Sequence, residues 1–306
     1  MRFTKMHGAG NDFIIIDAVK EKIPEKDFSA LAAFLCPRKT SVGADGVMYI
    51  VPASNGGDFG MRYYNSDGSL GEMCGNGSRC ISRYGYEHGL SGEIQRIETT
   101  AGPVTGVRID EDLYRVRLND PTVIDLHKKV TVSGKGYDCA YTELGDPGIP
   151  HCVLIYPEWD NMNETELCKL GSLLRHAPEF PKGANVDFVK IENENEVKAV
   201  TYERGIEDLT LACGTGCGSI AAVLSLLGMV TAKDLKIKMP GGTLSVSLDI
   251  CEDYVNNIML TGPVAVVYEG ELSFCPSLRE TQSCLLHLPQ VPERARQIFR
   301  MLSPDL

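Results

Sequence analysis

The chain has 306 residues, 43% hydrophobic and 23% charged, with a formal net charge of -11, which is the make-up of a globular protein of one large domain or two. The acidic balance and the scatter of the positive charges exclude nucleic acid and anionic membrane as expected partners. No apolar run is long enough to span a membrane and residues 1–20 carry no secretory pattern, so the cytoplasm is the expected compartment, with the eleven cysteines mostly reduced.

In chain order, Met1 to Val19 reads as a strand, a glycine turn at Gly8-Ala9-Gly10 and a second strand over Phe13–Asp17. Phe28–Leu35 reads as a short amphipathic helix stopped at Cys36-Pro37. Val47–Val51 and Met61–Tyr64 read as strands, and Asn65-Ser66-Asp67-Gly68-Ser69 as a tight turn. Cys74-Gly75-Asn76-Gly77 then leads into a helix through His88, closed at Gly89. Much later, Cys213-Gly214-Thr215-Gly216 opens an apolar helix that closes at Gly228. Gly262–Tyr268 reads as a strand returning to the first half. Residues 273–306 read as an appended tail, with a basic helical stretch at 292–300 suited to packing or to a dimer contact.

The two Cys-Gly-x-Gly turns belong to a longer internal repeat. Gly8-Ala9-Gly10-Asn11-Asp12-Phe13 resembles Gly183-Ala184-Asn185-Val186-Asp187-Phe188. A similar interval separates Cys74 from the turn at Gly102 and Cys213 from the turn at Gly242, and each turn feeds an alternating strand. These landmarks predict an α+β fold of two pseudosymmetric halves, each a curved, mostly antiparallel sheet wrapped around a central helix. The expected division is 1–118 plus 262–272, then 119–261, with 273–306 apart.

A cysteine at a helix start lies where backbone N–H groups face out of the helix and the dipole favours negative charge. Such a position stabilises a thiolate and can also hold a carboxylate. Alone, either cysteine would read more simply as a small core residue beside a turn. As a pair they suggest chemistry. If the halves face each other across a cleft, a carboxylate could accept from the N–H groups of Gly75, Asn76, Gly214 and Thr215. The neighbouring carbon would then lie between two sulfurs, one removing a proton as thiolate and the other returning one as thiol. That is racemisation without a cofactor, and the helix ends are expected to lower both thiol pKa values.

Asn65-Ser66-Asp67-Gly68, Met73-Cys74-Gly75-Asn76-Gly77, Pro150-His151, Gly183-Ala184-Asn185-Val186, Glu203-Arg204-Gly205 and Ala212-Cys213-Gly214-Thr215-Gly216 together resemble the diaminopimelate epimerase family over roughly residues 1–271. The resemblance implies a pyridoxal-phosphate-independent epimerase, usually a homodimer, interconverting LL- and meso-diaminopimelate for lysine and peptidoglycan synthesis. It implies Cys74 and Cys213 as the catalytic pair and His151 and Glu203 as neighbours that set their protonation. Gly75, Asn76, Gly214 and Thr215 would bind the reacting carboxylate and Asn11 the reacting amino group. Asn65, Asn185, Glu203 and Arg204 would read the distal amino-acid head, where Arg204 can fork onto a carboxylate.

Two places depart from the family pattern. Ile149 stands where many members carry an Asn before Pro-His, and the loop from Ile206 to Thr210 is one residue longer than the commonest form. The alternatives are a racemase of another amino acid, such as histidine, on the same fold, and a non-catalytic amino-acid-binding protein. A thiol redox protein is a further rival. Cys80 and Cys217 are expected in the core. No metal site is expected, because the spacings lack a Cys-x-x-Cys hook and paired histidines.

Overall fold

The computed structural model describes residues 1–272 apart from Glu72, Met162 and Asp253. The tail at 273–306, with the helix expected at 292–300, lies outside the described residues. The described residues form two compact units, 1–108 with 264–272, and Ile109–Pro263.

In the first unit, Arg2–Gly8 lies between Asn11–Asp17 and Ala265–Glu271 and is antiparallel to both. Gly46–Val51 runs parallel to Asn11–Asp17, and Phe59–Asn65 pairs antiparallel with Gly46–Val51. Ile94–Thr99 runs parallel to Phe59–Asn65 and pairs with Gly102–Arg108. A parallel pair needs a crossover, and each crossover here carries a helix: α1, Phe28–Leu35, and α2, Gly75–Glu87. The two helices take opposite faces of the sheet. Ile14, Ile16, Val47 and Tyr49 pack with Phe28, Leu31 and Leu35 of α1, while Phe13 and Met48, of the other parity, reach Gly77 of α2. Burial on both faces accounts for the unbroken run Phe13-Ile14-Ile15-Ile16, in which every residue is 0% exposed.

The second unit repeats the plan. Ile149–Ile155 is parallel to Asn185–Asn193, with α3, Glu164–Arg175, in the crossover. Glu196–Glu203 is antiparallel to Asn185–Asn193 and parallel to Leu235–Met239, with α4, Gly214–Leu226, in that crossover. Cys152, Leu154, Val186, Phe188, Val200 and Tyr202 face α3 through Leu167 and Leu174. The residues between them face α4, which also packs against Lys135–Leu144, Gly242–Cys251 and Tyr254–Pro263. The inner helix is thus wrapped by strands, as its all-round apolar character predicts.

The two inner helices match closely. Each is 13 residues long, and each is N-capped by the cysteine in an extended conformation, φ -134° and ψ 119° for Cys74, φ -117° and ψ 113° for Cys213. Each is followed by a left-handed glycine, Gly89 at φ 68° and Gly228 at φ 66°. Cys80 and Cys217 are buried inside them as expected, and burial pushes the Cys80 thiol up to about 12.

The helices begin immediately after their cysteines, as the sequence reading has it, with the glycines in the first turn. Other boundaries differ. The stretch 262–268 is divided: Gly262 and Pro263 end Tyr254–Pro263, and a new strand starts at Ala265. Leu113–Arg117, grouped by sequence with the first half, pairs with Tyr254–Pro263. Helix α3 went unread. Its signal is the N-cap Asn163, whose Oδ1 accepts from Thr165 N–H at 3.0 Å.

Gly171 on α3 sits against Tyr202, where an added Cβ would come 2.6 Å from the Tyr202 Cβ and Cγ. Alanine favours a helix over glycine by about 1 kcal/mol, but overpacking a rigid contact costs about 1–3 kcal/mol. Gly171→Ala is therefore expected to destabilise the protein, and a lower urea midpoint with an unchanged slope would show it.

Candidate active site

The second glycine of each Cys-Gly-x-Gly turn is where the inner helix meets the sheet. A Cβ on Gly77 would overlap the Met48 side chain, and a Cβ on Gly216 would come 2.5 Å from Asp187 Oδ1. Glycine permits this approach, and the approach sets each N-capping cysteine beside the polar residues that end the neighbouring strands.

In the first unit, Asn11 Nδ2 donates to Asp45 Oδ2 at 2.6 Å, which fixes the orientation of the amide. Its Oδ1 then accepts from the Cys74 thiol at 3.4 Å and from Asn76 Nδ2 at 3.3 Å. Asp45 is held in turn by Arg38, which also forks onto Asp12, and Asp12 pairs with Lys5. Arg79, 0% exposed, donates to Gly75 O at 3.3 Å and to Asn76 Oδ1 at 2.9 Å. Asn11, Cys74, Gly75 and Asn76 therefore converge. Asn65 is held in its own turn, with Nδ2 on Ser69 Oγ at 3.0 Å.

In the second unit, His151 and Asn185 are register partners on adjacent parallel strands. Asp187 is two residues beyond Asn185, on the same face, and Thr201 is its cross-strand partner. His151 Nδ1 lies 2.8 Å from Asp187 Oδ2, and Thr201 Oγ1 donates to Asp187 Oδ1 at 2.7 Å. His151 Nε2 lies 3.0 Å from Thr215 Oγ1 and 3.3 Å from Asn185 Nδ2. Cys213 Sγ lies 3.5 Å from Thr215 Oγ1 and accepts from Gly216 N–H at 3.4 Å. Arg204 N–H donates to Asn185 Oδ1 at 2.7 Å, while the exposed guanidinium of Arg204 rests on Lys182 O at 3.1 Å. Glu203, half-buried, ends the strand carrying Thr201.

The structure thus places His151, Asn185, Arg204, Cys213 and Thr215 in one hydrogen-bonded group. Sequence reasoning missed Asp45, Arg79, Asp187 and Thr201. Asp187 had a readable signal, alternating with Asn185 on a strand that is otherwise apolar.

The electrostatics of Cys213 run against expectation. Burial, then the charges of Glu203 and Asp187, push its thiol well above the ordinary value. The Thr215 hydroxyl and the Gly216 N–H act in the opposite direction but do not prevail. The thiolate of Cys213 is therefore disfavoured in this setting. Removing one of the charges should draw the value down. Glu203→Gln is expected to raise the alkylation rate of Cys213 at neutral pH by about threefold to tenfold. Mass spectrometry of the Cys213 peptide after iodoacetamide treatment would measure it, and an unchanged rate would remove Glu203 from the electrostatics.

The sequence matches the family model described as diaminopimelate epimerase over residues 3–122 and 145–267. A diaminopimelate epimerase of Caldanaerobacter subterraneus is 38% identical over 289 residues, covering 89% of this chain and 99% of that protein. One of Aquifex aeolicus is 38% identical over 285 residues, covering 89% and 98%. Among solved structures, a hydroxyproline epimerase from Agrobacterium vitis superposes with a TM-score of 0.68 at 18% identity, covering 92% of this chain and 94% of that one. That likeness concerns the fold alone. On the family model and the relatives together, the chain belongs to the diaminopimelate epimerase family.

Proposed function

We propose that this protein is a cofactor-independent diaminopimelate epimerase that inverts one α-carbon of the LL isomer to give the meso isomer, a precursor of lysine and peptidoglycan. The observation that carries the reading is the pair of N-capping cysteines, matched in backbone conformation and helix length on two repeats of one plan. Inversion needs a base on one face of the α-carbon and an acid on the other. The reading assigns these roles to Cys74 and Cys213, supported by His151 and Glu203. The first N–H groups of α2 and α4, at Gly75, Asn76, Gly214 and Thr215, would hold the reacting carboxylate and stabilise charge that builds on it as the proton leaves.

Asn11 is the proposed contact for the reacting amino group, and its Oδ1 already accepts polar hydrogens. Asn65, Asn185, Glu203 and Arg204 are proposed for the distal head. Arg204 is suited to the distal carboxylate because its guanidinium is exposed while its backbone is pinned to Asn185. A homodimer working in the cytoplasm completes the proposal. The cysteines of the described residues are free thiols, which suits a reducing compartment, and no described helix is long and apolar enough to cross a membrane.

Cys74→Ala and Cys213→Ala should each abolish inversion, followed by NMR as deuterium incorporation at the α-carbon of diaminopimelate in deuterium oxide. Full activity in either variant would overturn the two-thiol mechanism. The same assay run over diaminopimelate, histidine and other amino acids tests the substrate, and exchange seen only with a one-headed amino acid would reject diaminopimelate. Arg204→Ala should cost diaminopimelate turnover at least about tenfold while leaving the melting temperature unchanged. A fall in melting temperature with intact kinetics would make Arg204 structural instead.

A further inference from the structure

The hydrogen-bond directions around His151 can be assigned from one fixed point. Arg204 N–H can only donate, so the Asn185 atom facing it at 2.7 Å is the carbonyl oxygen. The other Asn185 atom, 3.3 Å from His151 Nε2, is therefore the NH₂. It donates, so Nε2 carries a lone pair and the ring proton sits on Nδ1, directed at Asp187 Oδ2 at 2.8 Å. Nε2 has one lone pair, and the Thr215 hydroxyl, at 3.0 Å, is the nearer of the two donors to it. That leaves a Thr215 oxygen lone pair for the Cys213 thiol at 3.5 Å. The directions run one way, from sulfur to hydroxyl to imidazole, with a buried carboxylate behind the ring.

We propose that Cys213, Thr215 and His151 form a proton relay that generates the Cys213 thiolate, with Asp187 as the positioning residue that holds and charge-stabilises His151. In the step, the S–H proton passes to Thr215 Oγ1 as the Thr215 O–H proton passes to His151 Nε2. The products are a thiolate, an intact hydroxyl and an imidazolium whose Nδ1–H faces the Asp187 carboxylate. No proton is gained or lost, and the reverse transfer restores the thiol. The proposal rests on the reading of Cys213 as one of the two acid–base groups, and adds the source and sink of its proton.

The relay answers a difficulty at this site. Cys213 is 6% exposed and faces the carboxylates of Glu203 and Asp187, so a bare thiolate is disfavoured. His151 reaches Cys213 through Thr215, and a proton received there would offset a new negative charge on sulfur.

The test compares Thr215→Val, Thr215→Ser and Asp187→Asn by two measurements. One is the pH dependence of Cys213 alkylation, read on its own peptide in a Cys74→Ala background. The other is the pH–rate profile of α-proton exchange with Cys74 intact. Valine keeps the shape and backbone N–H of Thr215 but removes the hydroxyl, so KM for diaminopimelate should hold while kcat falls at least about tenfold and alkylation moves to higher pH. Thr215→Ser should restore both.

Asn at position 187 still accepts from His151 Nδ1–H but lacks the charge. The relay therefore predicts that alkylation in Asp187→Asn also moves to higher pH. A purely through-space effect of Asp187 predicts the opposite, because losing a nearby negative charge favours the thiolate. A downward shift in Asp187→Asn, or an unchanged profile in Thr215→Val, overturns the relay. Alkylation of the free enzyme does not depend on the substrate, so a wrong substrate would fail the amino-acid screen while leaving the alkylation result intact.

Discussion

The rest of the architecture depends on one close approach, the first turn of each inner helix against a sheet that is buried on both faces. With α1 or α3 covering the outer face, the inner helix must reach the sheet within van der Waals distance. At Gly77 the sheet answers with Met48 and Phe13, and at Gly216 with Asp187 and Thr201. A side chain at either glycine would push the helix start away and carry the N-capping cysteine with it. The Cys-Gly-x-Gly turn is therefore a packing solution before it is a chemical one, and it brings a sulfur, outward-facing N–H groups and strand-end polar residues to one place.

The two solutions are matched in backbone and unlike in charge. Around Cys74 stand the Asn11 and Asn76 amides, with the Arg79 guanidinium behind Asn76. There the thiol donates to a carbonyl oxygen. Around Cys213 stand the carboxylates of Glu203 and Asp187 with His151, and the sulfur receives the Gly216 N–H. A reaction that needs one thiol and one thiolate at a time gains from such unlike settings, because identical ones would leave the choice to the substrate alone. The expectation that both helix ends lower their thiols rested on the dipole. At Cys213 the dipole is opposed by burial and two acidic neighbours, which are stronger at short range in a poorly solvated place.

What could be read from the sequence follows from how local each signal is. The cysteine turns, the glycines that stop α2 and α4, and the repeat are carried by adjacent residues, and they were legible. The run Phe13-Ile14-Ile15-Ile16 was legible as a strand and Phe28–Leu35 as a helix, but the lack of alternation in the run was not read as the mark of a strand that α1 covers on its second face. Helix α3 does carry a periodic signal, with Leu167, Leu170 and Leu174 at helical spacing behind the Asn163 cap. Asp187 and Thr201 become site residues only through register. One lies opposite the other across an antiparallel pair, and both share a face with His151. Pairing of that kind depends on strands far apart in the chain, which residue-by-residue reading does not supply.

The buried polar group of the second unit also ties two parts of the proposed site together. His151, Asp187 and Thr201 are each 0% exposed, and a buried polar atom left without a partner costs about 1–3 kcal/mol. Here each finds one, so the network constrains geometry instead of destabilising the fold. Asn185 is the shared member. Its oxygen takes the Arg204 N–H and its nitrogen serves His151. A single amide thus couples the backbone position of Arg204, the proposed reader of the distal carboxylate, to the tautomer of the imidazole that faces Thr215. If a ligand drew Arg204 away and the amide turned over, its oxygen would face Nε2 and favour the proton there, closing the lone pair to Thr215. Asn185 is thus the amide at which the seating of Arg204 and the tautomer of His151 meet.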